Sequence, residues 1–498
     1  MSSARLAASL AAAALVAPAA AGRRPSPYAG VTGLPAPAFN FSQLVDHFSA
    51  SPLTYNQRYY KNESSFAGPG SPILCILGGE GAIEPATGIL YPSIVLLAAR
   101  LGALVVQPEH RFYGASQPAG PYSTSTLALL TPDQALADAA YFLTAMRDAY
   151  GCSGRNGSPR CPVVTIGGSY PGWLSAMMRL RYPAVVDAAY AGSAPMNFYA
   201  QAVDPYAYYK VVTDSAGRAL PGCPEAWREI VAGTLSSAGA TKAALTTNLN
   251  LCAPLPAYLA SGTDAALAAE VGMVLQYTFA DLNMANYPPS TGAAKTALYS
   301  ACAAAVAGVA SPWTTLASFL TTYAAVGPPS ACFNLSAQLP SGPGATISSG
   351  DWSGVGVGND GSSWDFETST LLVEAIGTNG QSDMFYARDW DEQWLVEHAA
   401  ARFNVVPRPH ALVDAWGFSE AMLPNVTSRI VFTNGLNDGW SAGGVLTNLS
   451  ATLLAFNAPS GAHHSDLSHN WPSAADAPDV VAMQAAAQNA IAGWIAGL

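Results

Sequence analysis

The chain predicts an α/β fold, a largely parallel sheet covered by helices on both faces, with a mostly helical domain inserted near its middle. Three observations point there. Continuous apolar runs of strand length alternate with helical patterns in residues 22–199, and again in residues 386–498. Between them, over residues 200–385, the alternation stops and cysteine-containing helical segments take over. The inserted stretch closes on a Gly/Ser-rich run from Pro340 to Ser363, the texture of a loop at a domain edge.

The elements follow in order. Residues 1–21 place one arginine before an apolar run and end on small residues, the pattern of a secretory signal peptide with cleavage expected after Ala21. SPILCILGG (71–79) reads as a buried strand ending in glycines, and ALVVQPEHR (103–111) as a second strand. A helix follows, with Thr131 as N-cap, Pro132 in its first turn and Gly151 as terminator. PVVTIGG is a third strand, running into a helix from Pro171 to Tyr182, and residues 187–195 are a fourth. After the insertion come strands at 428–435 and 451–459 and a closing helix from Asp476 to Ile495.

The 498 residues carry a net charge of −11 and no basic patch, which argues against nucleic acid as a partner. No run after the leader has the length of a membrane span; the best, GILYPSIVLLAA, ends at Arg100. Seven cysteines suit an oxidising route through the secretory pathway, to an extracellular or a lysosomal or vacuolar destination. Cys152 and Cys161 bracket a short loop and are expected to pair. Cys223, Cys252, Cys302 and Cys332 form a middle cluster with room for two bridges, and Cys75 is the odd, buried thiol. Asn-x-Ser/Thr sites at Asn40, Asn62, Asn156, Asn334, Asn425 and Asn448 permit glycosylation.

The chemistry starts from TIGGSYPGW (165–173). Ser169 lies between a strand and a helix, in a turn rich in glycine, which is the context of a nucleophile elbow. A serine at a helix N-terminus has backbone amides beside it to hold a developing oxyanion, and Tyr170 supplies the first of them. The usual Gly-x-Ser-x-Gly pattern is broken by Pro171, with the glycine one place late at Gly172. Proline in a first helical turn removes no needed donor and leaves the Tyr170 amide in place. A base and an orienting acid must follow, and in α/β-hydrolases their order is serine, acid, histidine. Asp438 falls in the loop after one later strand and His463 in the loop after the next. The glycine-rich GGEG loop follows the first strand, and Gly79 is the first choice for a second oxyanion donor. His463, His464, Asp466 and His469 match no zinc spacing, so neither a metal nor an organic cofactor is expected. His110 precedes the serine and reads as structural.

These pieces resemble the secreted serine peptidases that include lysosomal prolylcarboxypeptidase and dipeptidyl peptidase II. The similar stretches are QLVDHF (43–48), QRYY (57–60), GGEG (78–81), EHRFYGAS (109–116), QALAD (134–138), GGSYPG (167–172), GSAP (192–195), NGLNDGWSAGGV (434–445) and GAHHSDL (461–467). The resemblance implies an α/β-hydrolase fold with a helical cap and a triad of nucleophile Ser169, orienting acid Asp438 and base His463, with His464 a structural neighbour. It also implies the cap disulfides Cys223–Cys302 and Cys252–Cys332, cleavage next to proline, and Trp173 and Trp440 at pocket-lining positions. The sequence departs from the family at Pro171, usually glycine, and at Gly439, usually proline. SSWDFETSTLL carries Glu367, Ser369 and Leu371 where the family has Gln, Cys and Glu, so one family disulfide is absent. A serine exopeptidase acting on peptides is the expected function, with a homodimer left open. A lipase or carboxylesterase on the same fold, or a non-catalytic binding protein, are the alternatives.

Overall fold

The computed structural model describes residues 33–118, 124–236, 240–287, 295–324, 332–335, 359–467 and 474–498. Residues 1–21, read above as a leader, and His469 lie outside these residues. An eight-stranded sheet runs in the order β1-β2-β4-β3-β5-β6-β7-β8. Its strands are β1 Phe39–Leu44, β2 Thr54–Asn62, β3 Ile73–Ile76, β4 Leu104–Pro108, β5 Val163–Gly168, β6 Ala188–Gly192, β7 Ile430–Gly435 and β8 Leu453–Ala458. β3 to β8 are mutually parallel, while β1 pairs antiparallel with β2, and β2 antiparallel with β4. This is the α/β-hydrolase architecture.

The parallel strands β3 to β7 are buried on both faces, while the edge strand β8 is only partly buried, and their side chains divide with period two between two cores. Ile73, Cys75, Leu104, Val106, Val163, Ala189, Ile430 and Phe432 pack with the helices Pro132–Ala149 and Tyr170–Arg181. Leu74, Ile76, Val105, Val164, Ile166, Ala188, Tyr190 and Val431 pack with Pro92–Leu101 and Pro478–Ala496. The apolar run judged too short to cross a membrane is thus the first of these covering helices, and no described helix is long and apolar enough to span one. Cys75 is the free, fully buried thiol, and burial pushes its pKa far up.

The antiparallel pair β1–β2 has no counterpart in the sequence reading. TYNQRYYKN is polar at most positions and offers no apolar run, because only alternate residues of this outlying pair face the core. The expected fourth strand also ends sooner than read, at Gly192, and Met196–Tyr199 is already helical.

Helices between Ala207 and Tyr323 stand between β6 and β7 in the chain. Trp227, Phe279 and Phe319 form the aromatic centre of this insert, with ring centroids 4.8 to 5.2 Å apart. Cys223–Cys302 and Cys252–Cys332 are bridged, as the resemblance implied, and Cys152–Cys161 as the spacing suggested. The 21-residue helix Asp264–Met284 carries the insert back to the C-terminal edge of the sheet.

Candidate active site

Ser169 ends β5 and begins the helix Tyr170–Arg181 with φ 65° and ψ −134°. That left-handed backbone is unfavourable for a side-chain-bearing residue and is held by its surroundings. The Ser169 amide donates to the Gly192 carbonyl of neighbouring β6 (2.8 Å), and the Ser169 carbonyl accepts from the Gly172 and Trp173 amides. Two glycines are required by close approach. A Cβ on Gly167 would lie 2.1 Å from the Pro171 carbonyl oxygen, and one on Gly172 would lie 2.7 Å from the Gly192 carbonyl oxygen. The displaced glycine therefore has its own packing reason, against β6, while Pro171 occupies the first helical turn.

Asp438 and His463 follow β7 and β8, the two strands beyond β6. His463 Nδ1 donates to Asp438 Oδ2 at 2.6 Å, with Asp438 fully buried and His463 nearly so. The other carboxylate oxygen accepts from the Trp440 amide at 3.1 Å. The insert grips both loops. Asn283 accepts from the Gly439 amide (2.9 Å) and donates to the Asn437 carbonyl (2.6 Å), while the Tyr287 hydroxyl donates to the His463 carbonyl (2.5 Å). Proline at position 439 would lack that amide, so glycine there is matched to Asn283. His464 docks the loop onto the serine turn. Its amide donates to Ser193 Oγ (2.8 Å), and its ring is 2.8 Å from where a Gly168 Cβ would stand. The buried Asp466 accepts from the hydroxyls of Tyr190 and Thr433 beneath it.

The sequence-predicted positions thus meet at one edge of the sheet. Gly79 is buried in the loop after β3, the strand beside β5. The Trp440 ring lies 6.4 Å from His463, and the fully buried Trp173 stacks between Tyr170 and Trp416. The GGEG loop is fixed by carboxylates elsewhere. Glu109 accepts from the Ile83 amide (2.9 Å) and from Arg58, and Asp360 accepts from the Ala82 amide (3.1 Å).

Sequence reasoning missed a group of buried carboxyls beside this turn. Burial pushes Glu367 up to about 8, and it accepts from Tyr113 (2.6 Å) and meets the Tyr170 hydroxyl at 3.0 Å. His110 is buried and its pKa falls to about 4 for that reason, so its ring is neutral. His110 Nδ1 must donate to the Arg111 carbonyl (2.8 Å), which leaves Nε2 to accept from Tyr170 at 3.1 Å. The Tyr170 proton is then committed to His110, and a protonated Glu367 completes the chain by donating to Tyr170. Every group is satisfied when Glu367 is neutral, the hydrogen-bonding pattern a glutamine would have. Burial likewise pushes Glu374 up to about 8 and Glu80 to about 7. Glu80 was visible as a letter of GGEG, but its desolvation has no local signal.

The family model described as serine carboxypeptidase S28 matches residues 43–487. The lysosomal Pro-X carboxypeptidase of Mus musculus is 31% identical over 470 residues, covering 89% of this chain and 88% of its own length. Its Homo sapiens counterpart is 30% identical over 461 residues, covering 88% and 85%. The thymus-specific serine protease of Homo sapiens is 36% identical over 244 residues, covering 47% and 46%.

Proposed function

Because the chain belongs to the serine carboxypeptidase S28 family and is a serine-type peptidase, we propose that Ser169, Asp438 and His463 are its catalytic triad and that it cleaves peptides next to proline through an acyl-enzyme. The observation that carries the assignment is the 2.6 Å bond between His463 Nδ1 and the buried Asp438, in a loop docked on the serine turn. With Nδ1–H held by a carboxylate, Nε2 is the unprotonated nitrogen, the tautomer a general base needs. His463 Nε2 takes the Ser169 proton as Oγ attacks the carbonyl carbon of the scissile bond. The amides of Tyr170 and Gly79 receive the oxyanion. His463 returns the proton to the leaving amine as the C–N bond breaks, and water then hydrolyses the Ser169 ester by the same proton route.

Two features support the oxyanion assignment. Tyr170 opens the helix, where amides lack an i−4 carbonyl, and its ring is anchored by His110 and Glu367. The loop carrying Gly79 is pinned by Glu109 and Asp360 rather than left loose. Trp440, partly buried and beside His463, supplies an apolar face suited to a proline ring, while the fully buried Trp173 packs behind the site and presents no face to a substrate. The leader, the disulfides and the lysosomal relatives favour an extracellular or lysosomal destination.

A fluorophosphonate probe tests the assignment. The wild-type protein is expected to label and to hydrolyse Pro-containing peptides, with Ser169→Ala doing neither. Equal labelling of the two proteins sinks the triad, and turnover of short acyl esters without any Pro-containing peptide sinks the peptidase specificity.

A further inference from the structure

The backbone of Asp438 is held from outside its own domain. One side chain of the insert, Asn283, meets both peptide groups that flank Asp438. Its Nδ2 donates to the Asn437 carbonyl (2.6 Å), and its Oδ1 accepts from the Gly439 amide (2.9 Å). The first group belongs to the peptide plane before the Asp438 Cα and the second to the plane after it. Only two soft rotations, φ and ψ, relate those planes. Tying both planes to one buried amide therefore fixes φ at −80° and ψ at 128°, and with them the direction in which the Asp438 side chain leaves the backbone. The carboxylate at the end of that side chain holds His463 Nδ1 at 2.6 Å.

The same stretch of the insert makes two further contacts. Met284 Sδ accepts from the Trp440 indole (3.2 Å), and the Tyr287 hydroxyl donates to the His463 carbonyl (2.5 Å). Residues 283–287, at the end of the helix Asp264–Met284, thus reach the acid loop, the indole beside the base and the base loop together. The acid loop needs such support. A Cβ at Gly439 would lie 2.8 Å from two ring atoms of Tyr208, so the approach of the helix Ala207–Ala219 requires glycine there. Glycine has the most conformational freedom to lose, and this one directly follows Asp438. The hydrolase domain supplies two bonds of its own, from the Asp438 amide to the Gly435 carbonyl (3.1 Å) and from the Asn437 amide to the Gly461 carbonyl (2.9 Å). The Asn437 carbonyl and the Gly439 amide are met by the insert.

Resting on the triad reading, we infer that Asn283 is a positioning residue for catalysis, with Tyr287 as its companion. The insert, through the end of one helix, sets the Asp438–His463 pair, and the triad is complete only while that helix end is docked.

Steady-state kinetics on a Pro-containing peptide test this, with a control from the same helix. Gln276 is buried and also makes two bonds, to Thr378 Oγ1 (2.7 Å) and the Tyr386 carbonyl (3.1 Å), neither of them to the triad loops. Asn283→Ala is expected to lower kcat about 100-fold with KM within about 3-fold, the scale of an ångström's misplacement. Gln276→Ala is expected to lower the melting temperature by a similar amount yet keep kcat within about 3-fold of wild type. Tyr287→Phe loses one hydroxyl and no ring packing; it is expected to lower kcat about 5-fold or more with little change in melting, and it decides the matter if Asn283→Ala does not fold. Proton magnetic resonance gives a readout independent of turnover. The His463 Nδ1 proton is expected far downfield in wild type and in Gln276→Ala, and lost in Asn283→Ala. Wild-type kcat in Asn283→Ala and Tyr287→Phe, or an equal loss in Gln276→Ala, overturns the inference. Asp438→Asn keeps the two readings apart. If it also retains kcat, the triad reading has failed; if it loses kcat while Asn283→Ala and Tyr287→Phe keep theirs, only the positioning role has.

Discussion

Replacing Glu367 by glutamine isolates the consequence of holding a carboxylic acid neutral in this site. The folded protein holds the Glu367 proton up to about 8, against an ordinary value of 4.5, because the side chain is buried. Between those values the folded chain binds a proton that the unfolded chain has released. Stability is therefore greatest below the lower value and falls as pH rises toward the upper one. The slope is about 1.4 kcal/mol per pH unit, so the passage from about pH 5 to about pH 7.5 costs about 3 kcal/mol. Glutamine does not titrate, yet it keeps both bonds, its amide nitrogen donating to Tyr170 and its carbonyl accepting from Tyr113. Glu80 and Glu374 titrate in both proteins, so the difference reports chiefly Glu367. Thermal melting across that pH range is the assay. E367Q is expected to melt within about 1 °C of wild type near pH 5 and about 3 °C above it near pH 7.5, for an unfolding entropy set by a chain of this size. Parallel melting curves across the range would refute the neutral-acid network, and so would a glutamine variant less stable at both ends.

Four further outcomes follow from contacts at single positions. Gly172→Ala drives a Cβ to 2.7 Å from the Gly192 carbonyl and is expected to destabilise by about 2 kcal/mol or more, whereas Pro171→Gly is expected to change fluorophosphonate labelling less than about 3-fold; melting and labelling rates read the two. Asp438→Asn keeps the shape but unsettles the His463 tautomer, so kcat is expected to fall about 10³- to 10⁴-fold with little change in KM in steady-state assays. Asp138→Ala leaves the fully buried Arg111 guanidinium without its counter-charge and also strips bonds from His47 and Tyr55. It is expected to destabilise by about 3–5 kcal/mol in chemical denaturation, a loss that Ala at the exposed Asp148 does not reproduce.

What could be read from the sequence was what local chemistry announces. The parallel strands β3 to β7 are apolar runs because both of their faces are buried, and Ser169, Asp438 and His463 stand at strand ends in an order that reports topology. The Thr131 cap and Pro132 first turn are equally local, and the Thr131 hydroxyl does accept from the Gln134 amide. β1 and β2 were not legible, since a half-exposed antiparallel pair carries only a weak alternation. The cap disulfide partners came from the family resemblance, because four cysteines in one region admit three pairings. Asn283 and Tyr287 were invisible for a different reason. Each acts on a loop more than 150 residues away, and only the fold of the insert brings them there. Glu80 and Glu374 look like ordinary surface acids in one dimension, and Glu367 stood out only as a replacement for the family's glutamine; what all three share is desolvation, which belongs to the assembled structure.

The stretches that carry the family resemblance outside the triad have a common physical task. QLVDHF and QALAD meet through Gln134 and Asp138, which hold Asp46, His47 and Arg111. EHRFYGAS supplies Glu109, which receives Arg58 of QRYY, the Ser116 hydroxyl and the Ile83 amide just past GGEG. These contacts tie the antiparallel strands to the loop bearing Gly79 and Glu80, so the N-terminal motifs support the loop proposed to carry the second oxyanion donor. That frame also keeps Glu80 buried, within electrostatic reach of Glu367 and Glu374. Neighbouring carboxyls in one dry region cannot all ionise together, so the empty site favours its protonated form in mild acid.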